Sequence, residues 1–145
     1  MRIHLKAGEK VFINGAVLSF DQKTTLNLLN DARFLLGSYV MQLEETTTPL
    51  RQLYFAVQDA LINPQGDRAA LVQYQTLLNA IRRVSSNIDL HEGLDLVASK
   101  VEQGRYFDAL KALRKLFVVE QDILNEFDSH ALDVLPQYSA DSVAA

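Results

Sequence analysis

The stretch from Gly104 to Glu120 restricts the fold of this chain more than any other. Tyr106, Leu110, Leu113 and Phe117 recur at steps of four, three and four, which puts them on one stripe of an α-helix and gives a strand no consistent face. Ala109, Leu116 and Val119 widen the stripe. So broad an apolar face has to be covered by other elements. Lys111, Arg114 and Lys115 stand three and four residues apart and share a different face. That face reads either as the solvated edge of a core helix or as a grip for a polyanion or an acidic partner.

Three more helices lead up to it. Thr48 before Pro49 reads as an N-cap followed by a proline at the first helical position. Leu50, Leu53, Tyr54, Val57 and Leu61 then form a stripe that stops near Asn63–Pro64. A second helix starts near Gly66–Asp67, with Asp67 as cap, and packs through Leu71, Tyr74, Leu78 and Ile81. Its closing Arg82 and Arg83 suit the negative end of the helix dipole. Ser85 to Asn87 breaks the pattern. A third helix runs through Leu90, Leu94, Val97 and Val101, with Gly93 tolerated inside and Gly104 as the stop. The fourth, containing the opening stripe, extends to Phe127. Short loops between four helices favour antiparallel packing.

Upstream the period changes from 3.6 to 2. Ile3 and Leu5 alternate with polar residues, and Asn14-Gly15 between Val11–Ile13 and Ala16–Phe20 is a strong hairpin signal. Turns at Asp21–Lys23 and Asn30–Arg33 frame Thr24–Leu29 and Phe34–Gly37, so four or five short strands should form an antiparallel meander. Ser38–Leu43 reads as a last strand. The expected fold is α+β, a small N-terminal antiparallel sheet followed by a four-helix layer. Residues 1–43 form the β-rich region, 46–127 the helical region and 128–145 a flexible acidic tail, all within one compact unit.

The chain has 145 residues and no cysteine, which excludes disulfides and thiolate chemistry. Its three histidines match no metal spacing, and His91-Glu92 lacks a second His. Phosphate-loop, dinucleotide and nucleophile-elbow motifs are absent. No catalytic role, cofactor or metal is therefore expected. The N-terminus lacks the apolar core of a signal peptide and no run is long enough to span a bilayer, so a cytoplasmic location without membrane contact is expected. The net charge of −4 is uneven, because from Glu120 onward there are six acids and no Lys or Arg. The body before that point is only slightly basic, which argues weakly against a nucleic-acid ligand.

Binding is the function class that remains. If RNA is the ligand, the candidate contacts are Arg2, Lys6 and Lys10 on the sheet and Arg105, Lys111, Arg114 and Lys115 on the last helix. Tyr39 and Phe12 could stack on unpaired bases if their rings are exposed.

Three blocks in register resemble one family. Leu5 to Val17, with its Gly8-Glu9-Lys10 and Ile13-Asn14-Gly15-Ala16, is similar to the start of the alphaproteobacterial flagellar regulator FlbT. Thr48-Pro49-Leu50-Arg51 with Tyr54 and Phe55 resembles the family's central motif. Gly104-Arg105-Tyr106-Phe107-Asp108-Ala109-Leu110-Lys111-Ala112-Leu113-Arg114-Lys115-Leu116 resembles its C-terminal one, with Phe107 in place of a frequent Tyr. The resemblance covers about residues 1–125. It implies a post-transcriptional regulator that associates with the 5′ untranslated region of flagellin mRNA and most often represses its translation and stability. It also implies a link to the protein FlaF and to flagellin. An alternative reading is a protein-binding adaptor for flagellin or FlaF with an indirect effect on mRNA. Gly8–Ile13 is also similar to the opening of carbon storage regulator proteins, which implies a homodimer through the N-terminal sheet.

Overall fold

The hairpin forms where the Asn-Gly pair demands it. Asn14 (φ 47°) and Gly15 (φ 87°) both take the left-handed conformation, joining β2 (Lys10–Ile13) to β3 (Ala16–Ser19) in antiparallel register. The computed structural model describes residues 1–30, 32–63 and 65–134, with side chains through Phe127. Asp31 and Pro64, which belong to the expected turn and helix stop, and the tail from Leu135 onward lie outside the described residues.

Among the described residues there are five antiparallel strands, but their connectivity is not a meander. β1 (Arg2–Leu5) pairs with β4 (Thr24–Asn27), whereas β2 pairs with β3 on one side and β5 (Phe34–Leu36) on the other. Burial explains the preference for β5. Val11 is fully buried and Phe34 and Leu35 are buried, so β2 gains an apolar neighbour that β1 could not supply while Ile3 sits opposite Leu26. The expected strand at Ser38–Leu43 is absent. Two single 3₁₀ turns, Gly37–Tyr39 and Leu43–Glu45, stand there instead. Buried Gln58 takes both backbone groups of Met41, accepting from its N–H at 2.7 Å and donating to its carbonyl at 2.9 Å. A strand ladder has nothing left to bind at that residue.

The helices are α1 (Pro49–Ile62), α2 (Asp67–Val84), α3 (Ile88–Glu102) and α4 (Tyr106–Val134). Thr48 caps α1 as its sequence suggests, accepting from the Arg51 N–H at 3.2 Å. Gly66, not Asp67, is the N-cap of α2; the Asp67 carboxylate is drawn away to Arg33 at 3.3 Å. Gly104 (φ 73°) ends the α3 segment. α4 runs past Phe127 to Val134, because neither Gly nor Pro interrupts it before Pro136.

α1 and α4 lie together at the centre of the helical layer, with α2 against α1 and α3 against α4. The Arg82–Asp95 pair at 3.1 Å bridges α2 and α3. Gly93 is a requirement of this packing, since a Cβ there would come within 2.2 Å of the Leu116 side chain. Edge-to-face contact between Phe34 and Phe107 at 4.9 Å fastens β5 to α4.

Candidate functional site

Most of the cations read from the sequence as a free basic edge are engaged inside the protein. Arg114, on the face of α4 next to the core stripe, lies 4.0 Å from the centroid of the Tyr39 ring and donates from Nη2 to the Ser38 carbonyl at 2.6 Å. It stays exposed while doing so. The Tyr54 hydroxyl donates to the Tyr39 carbonyl, and burial pushes its ionisation up. Arg114, Tyr39 and Tyr54 thus join the 3₁₀ turn to both central helices.

Asp108 collects two more of the candidates. Its carboxylate meets Arg105 at 2.7 Å and Lys111 at 3.3 Å, and Lys111 also lies 5.2 Å from the Phe107 ring. These pairs are partly exposed and contribute little to stability individually, and the single Asp108 carboxylate offsets one of the four positive charges of the edge. Lys115 is exposed, with no ion pair among the described residues.

Lys10 is brought close to this group. Its carbonyl would be 2.9 Å from a Cβ on Gly37, so the Lys10 backbone abuts the residue preceding Ser38. Arg2 and Lys6 stand on or next to the β1–β4 ladder, and no contact among the described residues joins them to the α4 cations. The expected stacking rings are not free either. Tyr39 is covered by Arg114 and by the edge of Phe107 at 4.8 Å, and Phe12 packs against the core.

Three polar residues that sequence reasoning passed over tie separate segments of the fold together. Arg33 donates to the Ala60 carbonyl and to Asp67, each at 3.3 Å, and lies over the Tyr106 ring at 5.6 Å. Gln58 binds Met41 as described. Glu120, buried on α4, accepts from the Leu50 N–H at 2.8 Å and so caps α1 from seventy residues away. A signal existed for two of them. Gln58 follows Tyr54 by four and Glu120 follows Phe117 by three, so both sit where the apolar stripe expects an apolar residue.

A cleft of about 970 Å³ opens between Met1, Asn14, Arg33, Gln103, Arg105 and Asp108. Its two guanidinium groups are each matched by a carboxylate, Arg33 by Asp67 and Arg105 by Asp108. His4 contacts the Thr25 hydroxyl at 3.3 Å and His91 the Ser85 carbonyl. Among the described residues, no group of His, Asp and Glu could hold a metal, and no helix is long and apolar enough to cross a membrane.

These features define an α+β protein whose candidate interface is a partly neutralised cationic patch at the seam of sheet and helices. The chain matches the family described as flagellar protein FlbT over residues 1–124. A probable flagellum biosynthesis repressor protein FlbT of Rhizobium etli (strain CIAT 652) is 45% identical over 128 residues, covering 88% of this chain and 86% of the relative. Those of Brucella abortus (44% over 124 residues; 86% and 82%) and Agrobacterium fabrum (42% over 125 residues; 86% and 84%) bear the same name. No solved structure matches the chain. The chain belongs to the FlbT family, whose relatives here are named as repressors rather than as enzymes.

Proposed function

We propose that this protein represses flagellum biosynthesis after transcription, by binding the 5′ untranslated region of flagellin mRNA in the cytoplasm and lowering its translation and stability. It performs no catalysis in this reading; decay belongs to recruited nucleases. The observation that carries the RNA contact is Arg114, an exposed guanidinium held in place by Tyr39 and the Ser38 carbonyl. A preorganised guanidinium plane loses little entropy when a base stacks on it or a phosphate bonds to it. Lys10 and Lys115 flank it as backbone contacts, and Lys111 and Arg105 contribute what Asp108 leaves. Arg2 and Lys6 would form a separate contact further along the RNA. A homodimer through the N-terminal sheet belongs to the same reading, because the edge strand β3 exposes Val17 and Leu18.

The test is titration of the purified protein with leader RNA at two salt concentrations, alone and with FlaF and flagellin. Lys10→Glu with Lys115→Glu should weaken binding and lower the slope of log affinity against log salt by about 0.7 for each lost phosphate contact. A folded double variant with unchanged affinity and slope would refute the site. RNA binding seen only with a protein partner present would favour the adaptor reading.

A further inference from the structure

α4 is longer than the bundle it belongs to. α1 runs antiparallel to it, with Leu61 and Tyr106 lining the same cleft at one end and Leu50 bonded to Glu120 at the other. α3 meets it at Gly93 and Leu116 and begins at Ile88, level with Gln121. From Gln121 to Val134 the helix continues for roughly 20 Å at about 1.5 Å per residue, past the ends of both neighbours. Ile123 still touches the core. Phe127 is 69% exposed. In sequence the apolar stripe continues as Leu124, Phe127, Ala131 and Val134.

The charge of this overhang is as unusual as its length. Asp122, Glu126, Asp128 and Asp133 lie on it, without a single Lys or Arg. They occupy the half of the helix where the backbone dipole is already negative, and no basic residue sits in the last turn. A short projecting helix gains little from its own backbone to offset that arrangement. Cations supplied from outside would offset both unfavourable terms at once.

We infer that the α4 overhang is a docking helix for a second protein, one that offers an apolar groove for the Leu124–Phe127 stripe with Lys or Arg along its rim. Like-charge repulsion disfavours a second copy of this overhang as occupant, and the same charge repels RNA. The inference is independent of the RNA contact at Arg114.

The test places photoreactive benzoylphenylalanine at position 127 of the full-length chain in the cells that produce it. Expected is a nuclease-resistant adduct with one other protein, crosslinked within an apolar surface flanked by Lys or Arg. That protein, once purified, should bind the full chain with an affinity that falls with salt. It should bind at least tenfold more weakly to Phe127→Asp and to the Asp122→Lys, Glu126→Lys pair. Both variants should keep the parent's circular dichroism and urea midpoint. Adducts confined to this chain, to a second copy or to RNA would overturn the inference. So would absence of an adduct, or a partner that binds both variants as tightly as the parent.

Discussion

Removing the Glu120 carboxylate should destabilise the protein by uncapping the start of α1. The first turn of α1 has few free donors: Pro49 has no N–H, Arg51 donates to Thr48, and Leu50 donates to Glu120 at 2.8 Å. In Glu120→Ala the Leu50 N–H is left buried without a partner, which costs about 1–3 kcal/mol. Loss of the anion facing the positive end of α1 adds about 0.5–1 kcal/mol, and a cavity where the side chain lay adds more. The sum is near 3 kcal/mol, or roughly 10 °C in Tm for a domain of this size. Glu120→Gln keeps an acceptor of the same shape but loses the charge. Because a charge-assisted bond is about twice as strong as a neutral one, its cost should be near 1 kcal/mol. Urea unfolding followed by circular dichroism would measure both, with an unchanged m-value as the sign that only stability moved. If the alanine variant lies within 0.5 kcal/mol of the parent (about half the cost of a lost cap), the cap assigned to Glu120 is wrong.

Tyr74 offers a pH test. Its buried hydroxyl has no hydrogen-bond partner among the described residues, and burial pushes its pKa up to about 12, with Arg82 pulling the other way. The unfolded chain therefore loses this proton first, near pH 10. Stability from the group is fully present below pH 10 and declines as pH rises towards 12. Tyr74→Phe should be neutral or slightly stabilising at pH 7 and should lose less stability than the parent between pH 9 and 11. An equal decline in both proteins would remove the assignment. Gly93→Ala should cost about 1–3 kcal/mol through overpacking against Leu116, although alanine is the better helix former; a stabilised variant would mean that α3 and α4 are less tightly apposed than described. Arg114→Lys keeps the charge but loses the planar group over Tyr39. A loss of about 1 kcal/mol is expected in thermal unfolding, and none if the contact is incidental.

The helices were legible in the sequence because each carries a long stripe and a local stop, such as Thr48-Pro49 or Gly104. Strand existence was legible for the same local reason. Strand pairing was not, because the choice of β5 over β1 as partner for β2 depends on burying Phe34 and Leu35 against helices that lie further along the chain. The missing strand at Ser38–Leu43 has a similar origin, since Gln58 supplies from α1 what a neighbouring strand would otherwise supply. The candidate site was legible as a list of cations and not as a potential. Arg114 looked solvent-facing because its spacing matched Lys111 and Lys115, yet its partners, Ser38 and Tyr39, are more than seventy residues away. Ion pairs at i, i+3, as from Asp108 to Lys111, were within reach of the sequence, and they reduce the face that the charge count had suggested.

The seam also has a consequence for the order in which the chain can fold as it leaves the ribosome. The start of α1 waits for Glu120, the 3₁₀ turn waits for Arg114, and Arg33 waits for Tyr106. Each partner is made after most of the chain has emerged, so the N-terminal strands and α1 stay unfinished until synthesis is nearly complete. A product terminated before Tyr106 would lack α4 and leave the apolar stripes of α1 and α3 without the helix they pack against. Folding of this protein is therefore tied to the completion of its own translation.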